Sequence, residues 1–245
     1  MSNLIMTDKA AFTRENRKRL KERFRKSSFE GFHNHEVLEF ILGYALPGRD
    51  VRPVARELLK RFKGLRGVFD STDEELASVS GMGESSVVLI RLLKELAAVY
   101  LLERMTGKDV IRGQKDVLDY LNFTLSGERV EKFLAIYLNS KNEVLAIETL
   151  HEGTINQTVV YPRKAIEKAF KHNACSVIFV HNHPSGDPTP SNVDWQLAGV
   201  LDRAARAVDL VVHDHLIIGR NRHFSARENG WINGGPGWLQ SRAIS

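Results

Sequence analysis

His181 and His183 stand two residues apart where an apolar run, VIFV, gives way to the turn-forming stretch PSGDPTP, and Ser191-x-x-Asp194 then opens a helix-like pattern. On a strand, side chains at i and i+2 project from one face, so both imidazoles are free to converge on one ion. The prolines make a rigid return, and Asp194 falls in the first helical turn, where the helix dipole favours a carboxylate. Two neutral imidazoles and one carboxylate are the ligand set of a zinc ion, one per chain, with a fourth position open to water. That is the pattern of a catalytic rather than a structural site. An acidified water is the implied nucleophile. A plainer reading stands beside this one. Ser191-x-x-Asp194 is also a capping-box variant, and histidines at a strand end make hydrogen bonds. Capping accounts for Ser191 and Asp194, but it gives no reason for two strand-end histidines followed by a proline-locked return.

Two further His-x-His pairs act as internal comparisons. FHNHEVLEF sets His33 and His35 at a helix start, where side chains at i and i+2 point about 200° apart and are not expected to converge. VVHDHLIIG sets His213 and His215 on a strand, where convergence is open, yet no carboxylate-bearing helix start follows. A structural role is expected for that pair. The order His-Asn-His at 181–183 is not the nuclease motif of the same letters, whose residues are dispersed over a ββα unit.

These side chains need a frame. The chain has 245 residues, 42% hydrophobic and 27% charged, ordinary globular values at a length that suits two small domains. One cysteine, Cys175, excludes an intrachain disulfide and a cysteine-based zinc knuckle, so a metal must be held by His, Asp or Glu. The start MSNLIMTDKAAFTRENRK has no apolar targeting run, and no stretch approaches ~18 uninterrupted apolar residues. A soluble, cytoplasmic protein without membrane contact is expected. The net charge of +5 is concentrated in residues 14–26, RENRKRLKERFRK, where eight Lys/Arg oppose two Glu, or +6, leaving −1 for the rest. Such a run suits non-sequence-specific DNA contact. It suits better the solvated face of an amphipathic helix, with Leu20 and Phe24 at i and i+4 on the inner side.

HNHEVLEFILGYAL and VRPVARELLKRF carry helical apolar spacing. Ser71-x-x-Glu74 then reads as a capping box, followed by a short helix, a turn through Gly81 and Gly83, and a long amphipathic helix. That is a helix-hairpin-helix layout whose backbone amides can face a phosphate, or else a plain αα-turn. After TGKDVIRGQKDV the texture changes to period-two runs, EKFLAIYLNS, EVLAIETLHEG and TVVYPR. PRKAIEKAFKHN reads as a helix, CSVIFV as a buried strand, SNVDWQLAGVLDRAARAV as a helix and LVVHDHLIIG as a strand. The expected fold class is α/β (α+β): a helical domain over 1–107, a domain with a mixed sheet flanked by helices over 108–230, and a flexible glycine-rich tail over 231–245.

His181-x-His183-Pro184 followed by Ser191-x-x-Asp194 resembles the JAMM (JAB/MPN+) zinc-protease motif, H-x-H-P-x6-S-x2-D, and with HNHPSGDPTPS and DHLIIG the resemblance is to the RadC family over residues 36–219. The resemblance implies a JAB-type domain, one zinc held by His181, His183 and Asp194, and a hydrolytic centre like that of deubiquitinases. It also implies that Ser191 stabilises the tetrahedral oxyanion and that an upstream glutamate acts as general base. Glu131, at the head of EKFLAIYLNS, matches that glutamate, with Glu128, Glu143 and Glu152 as nearby competitors. The family's historical name points to DNA repair, and its hairpin commonly carries a lysine where this chain has Ser86. The implied activity is metalloprotease or isopeptidase hydrolysis of a peptide or protein substrate. The alternative is a DNA-associated accessory protein whose JAB-like domain binds zinc without turnover, or a metal-dependent nuclease.

Overall fold

Segments with a single apolar stripe become helices throughout the first part of the chain. The computed structural model describes residues 2–111, 113–153 and 161–232, with side chains from Thr13 onward. It begins with α1 (Ser2–Ser27), α2 (Asn34–Ala45), α3 (Arg52–Phe62), α4 (Leu65–Asp70), α5 (Asp73–Ala77) and α6 (Glu84–Met105). Leu38, Leu42, Leu58, Leu76 and Ile90 are buried in one core. The capping box of α5 is Thr72 with Glu75, one residue later than the sequence suggested. Ser71 is not free to cap, because its buried hydroxyl donates to the Gly67 carbonyl at 2.6 Å. Gly81 has φ +92°, and a Cβ there would lie 2.7 Å from Val54 Cγ2, so the hairpin requires glycine at that position. Ser86 is buried, with no hydrogen-bond partner for its hydroxyl among the described residues. Its side chain is not presented to a phosphate.

The chain divides into two compact units, Met1–Ala97 and Ala98–Ser245. The second holds α7 (Gln114–Leu125), β1 (Lys132–Leu138), β2 (Val144–Glu152), α8 (Pro162–Lys171), β3 (Ser176–Asn182), α9 (Asn192–Arg206), β4 (Val211–Ile218) and β5 (His223–Ser225). The strands form one mixed sheet in the order β2-β1-β3-β4-β5. Only β3 and β4 pair in parallel, and α9 is their crossover. β1 and β3 are central and almost wholly buried, which is why KFLAIYL and SVIFV read as continuous apolar runs. One face carries Phe133, Tyr137, Val177 and Phe179 against Ala165 and Ala169 of α8 and Leu197 and Leu201 of α9. The other carries Leu134, Ile136, Ile178 and Val180 against Val117, Leu121 and Leu125 of α7.

The expected α+β architecture with a mixed, helix-flanked sheet is present. Two elements differ from the sequence reading. α7 occupies residues to which the sequence reading assigned no element, and Tyr161-Pro162-Arg163, read as the end of a strand, forms the N-cap and first turn of α8, where proline has no amide to leave unpaired. The rest of that expected strand, 158–160, lies outside the described residues. Of the segment expected as a tail, Trp231 packs against the core and Ile232 is buried in it, while 233–245 lie outside the described residues.

Candidate metal centre

The site forms where the end of β3 meets the start of α9. His181 is fully buried on the face shared with Phe133 and Phe179, and its ring stacks on Phe133 at 5.9 Å between centroids. His183 lies one residue past β3 but stays extended, because its amide donates to the Ile218 carbonyl at 3.0 Å. Alternation therefore puts both rings on one face. The return loop packs against Gly219: a Cβ there would lie 2.5 Å from the Gly186 carbonyl oxygen and 2.6 Å from Pro188 Cδ. Only glycine permits that approach.

Asp194 arrives as N3 of α9. The Ser191 amide donates to Asp194 Oδ2 at 2.7 Å, the Ser191 hydroxyl donates to the same oxygen at 2.7 Å, and the Asp194 amide donates to Ser191 Oγ at 3.2 Å. The capping box is thus real, and it aims the carboxylate at the histidines rather than competing with that role. His181 Nε2 and His183 Nε2 are 3.2 Å apart, His181 Nε2 lies 3.2 Å from Asp194 Oδ1, and His183 Nε2 lies 3.5 Å from Asp194 Oδ2. A tetrahedral ion with bonds of ~2.0–2.1 Å has ligand-to-ligand edges of about 3.3 Å. The donor set fits such an ion, its ligand atoms all lie within 4.8 Å of one another, and this is the one group of three or more His, Cys, Asp or Glu found among the described residues that could hold one.

The second ring nitrogens are also committed. His183 Nδ1 lies 2.8 Å from the Asp187 carbonyl, which only accepts, so Nδ1 carries the proton and Nε2 keeps its lone pair for the centre. His181 Nδ1 lies 2.9 Å from His215 Nε2. With His181 Nε2 turned to the centre, Nδ1 donates to His215, whose own proton then sits on its Nδ1. Burial lowers the pKa of His181 and of His215, which keeps both neutral as ligation requires. The Asp194 hydrogen bond raises His183 instead, so in the absence of a metal its Nε2 takes up a second proton more readily, one that ligation would displace. Burial opposes ionisation of Asp194, yet the two imidazoles beside it and the Ser191 amide outweigh that and hold the carboxyl far below its ordinary range.

Glu131 lies one residue before β1, two before Phe133, whose register partner is His181. Alternation places it on the ligand face, and its charge favours protonation of both His181 and His183. The competitors have other partners or lie on another face. Glu128 pairs with Lys132 Nζ at 3.0 Å, Glu143 accepts from Asn139 Nδ2 at 2.7 Å at the far end of β1, and Glu152 pairs in register with Lys132, on the opposite face from Phe133.

Neither comparison pair is arranged as simple helical or strand periodicity suggests. His33 and His35 stack, with centroids 5.6 Å apart, because His33 is the extended N-cap of α2 and the helical 200° does not apply to it. His215 touches a candidate ligand, whereas His213 Nε2 meets Asn142 Oδ1 at 3.1 Å. A bulge between Val212 and Asp214 separates them: Val177 pairs with Val212 and Ile178 with Asp214, so His213 is the extra residue and the alternation resets before His215. Sequence periodicity carries no mark of that bulge.

A family model described as the RadC-like JAB domain matches residues 111–231. A UPF0758 protein of Fusobacterium nucleatum is 36% identical over 223 residues, covering 88% of this chain and 96% of the relative. The chain belongs to the RadC-like JAB family. A UPF0758 protein of Ruegeria pomeroyi is 37% identical over 222 residues, 91% of this chain and 99% of the relative, and one of Rhodobacter capsulatus is 37% identical over 213 residues, 87% and 100%. The similarity therefore runs through the helical part as well as the RadC-like domain. No helix among the described residues is long and apolar enough to cross a membrane.

Proposed function

We propose that this RadC-like chain is a zinc-dependent amide hydrolase of the JAMM type, acting on a peptide or isopeptide bond. The observation that carries the reading is the convergence of His181, His183 and Asp194, whose ligand atoms lie within 4.8 Å of one another, near enough to Glu131 for its charge to act on both imidazoles. Two imidazoles and a carboxylate are a set that zinc accepts while keeping an open position. Zinc held there supplies a Lewis acid that acidifies water and polarises a carbonyl. Glu131 accepts the proton of the attacking water at its carboxylate and passes it to the departing amine, so the proton balance closes on one residue. Ser191 Oγ, released from Asp194, donates to the oxygen anion that develops on the substrate carbonyl, while the Ser191 amide keeps Asp194 anchored.

The test is a digest of peptide and isopeptide libraries, and of DNA, by the zinc-loaded full chain, with the metal-free protein as control. Glu131→Gln keeps the shape but cannot take the proton, so zinc content and fold persist while turnover falls on the order of 10²–10⁴-fold. Wild-type turnover by Glu131→Gln would overturn the assignment. Zinc binding without cleavage of any amide supports the accessory-protein alternative, and metal-dependent cleavage of DNA supports the nuclease.

We also infer that α1 contacts nucleic acid through phosphates. Arg14, Lys18, Lys21 and Arg25 are exposed at i, i+4, i+7 and i+11, one stripe, and line a groove of about 560 Å³. Arg17 and Arg23 are committed to the fold instead: Arg17 donates to the carbonyls of Leu46 and Arg49, and Arg23 pairs with Glu36.

A further inference from the structure

Asn182 sits between the two histidines and is 1% exposed. Alternation turns it to the sheet face opposite His181, where its neighbours Val180 and Ile218 belong to an apolar core. A buried amide in that setting is costly unless its polar atoms are paired. They are paired with one short segment. Asn182 Oδ1 accepts from the Lys132 amide at 2.7 Å, and Nδ2 donates to the Val130 carbonyl at 3.1 Å and reaches the Glu128 carbonyl at 3.5 Å. Only the oxygen can meet an N–H and only the nitrogen can meet two carbonyls, so the network fixes the amide's orientation.

The segment it grips is the chain between α7 and β1, and the residue enclosed by the two closer bonds is Glu131. From the other side, the Gly153 amide donates to the Glu131 carbonyl at 2.8 Å. The backbone on both flanks of Glu131 is therefore held from β3 by Asn182, and its own carbonyl from the end of β2.

We propose that Asn182 is a positioning residue that couples the ligand-bearing strand to Glu131, so that the carboxylate and the metal ligands hold one fixed geometry. This rests on the reading of Glu131 as the general base. The physical logic is that a site a single ångström too loose loses much of its rate, and that a rigid support shared by two reacting groups removes that freedom. Aspartate at this position keeps the acceptor for the Lys132 amide but sets a carboxylate against two carbonyls. Alanine removes every bond.

The experiment compares Asn182→Ala, Asn182→Asp, Glu131→Gln and the double variant Asn182→Ala/Glu131→Gln in the full chain. Two readouts are used. The first is paramagnetic relaxation at the Glu131 side chain in cobalt-loaded, ¹³C-glutamate-labelled protein, which reports the distance of that carboxylate from the ion without any substrate. The second is turnover on a peptide cleaved by the zinc-loaded wild type. Asn182→Ala is expected to retain metal, to lose more than half of the relaxation effect at Glu131, and to lower kcat by ~10²-fold with KM little changed. In the Glu131→Gln background the same substitution is expected to cost less than twofold, because both act through one group. Undiminished relaxation at Glu131 in Asn182→Ala overturns the proposal, as does an equal loss of turnover in both backgrounds. If Asn182→Ala does not fold, Asn182→Asp decides by the same two readouts. Wild-type turnover by Glu131→Gln would sink the base assignment alone, and the relaxation readout would still decide whether Asn182 holds Glu131 in place.

Discussion

A histidine ligand is only as well directed as the group on its far nitrogen. For His183 that group is a backbone carbonyl of its own loop, and for His181 it is the buried imidazole of His215, 2.9 Å away. Removing such a partner typically costs 10–100-fold in metal affinity, because the ring loses both its tautomer and its orientation. His215→Phe is therefore expected to weaken zinc binding by ~10–100-fold while the fold persists, since the ring can pack on Phe133 and Phe179 as His215 does. His213→Gln, one bulge away, is expected to leave affinity within about twofold of wild type, well short of that second-sphere loss. Competition against a chelator measures both. Equal losses would remove the distinction that the bulge makes between them.

At the scale of elements, α1 combines two uses of its basic residues. Arg17 and Arg23 hold the helix to its neighbours, and Arg14, Lys18, Lys21 and Arg25 form the outward stripe. Phosphate contacts release counterions, so binding weakens linearly in log salt, with a slope that shrinks by about 0.9 for each contact removed. Charge reversal at Arg14, Lys18 and Arg25 is expected to flatten the salt dependence of duplex DNA binding for all sequences alike, measured by titration at several ionic strengths. Unchanged slope and affinity would return the stripe to a solvated face. Choosing the right three residues needed the structure, because RENRKRLKERFRK does not say which cations bond inward.

Over the whole molecule, a buried carboxyl and a half-buried imidazole at the bulge of β4 set opposite trends of stability with pH. Asp214 is fully buried, accepts from the Ser225 hydroxyl at 2.6 Å and from the Arg227 amide at 3.0 Å, and burial pushes its carboxyl up to about 6. In the unfolded chain it ionises near ~3.9, so between those values the folded state binds more protons and stability falls as pH rises. His213 works the other way. Burial, with the nearby Arg227, pulls it down to about 4, so the unfolded chain protonates first as pH drops from ~6.5, and stability is lost on acidification. Asp214→Asn is expected to shift the stability difference from wild type in the variant's favour by ~2–3 kcal/mol between pH 4 and 6.5. Urea midpoints across that range measure it, and parallel curves would show that the burial of Asp214 is not felt.

Much of this was legible in the chain alone. The His181/His183/Asp194 ligand geometry, the cap on Ser191 and the mixed sheet with flanking helices follow from local rules: alternation on a strand, dipole and cap at a helix start, continuous apolar runs for central strands. Those signals lie within a few residues of one another, and the fold carries them unchanged. His215, Asn182 and the commitments of Arg17 were not legible, because each depends on a partner 29 to 52 residues away. Register and bulges decide such meetings, and a single extra residue at 213 moves one histidine of a pair to the ligand and the other to a turn. Residue types and spacing determined which side chains could hold a metal ion. Only tertiary packing decided which side chains hold those ligands in place, since desolvation and pairing act between elements rather than along the sequence.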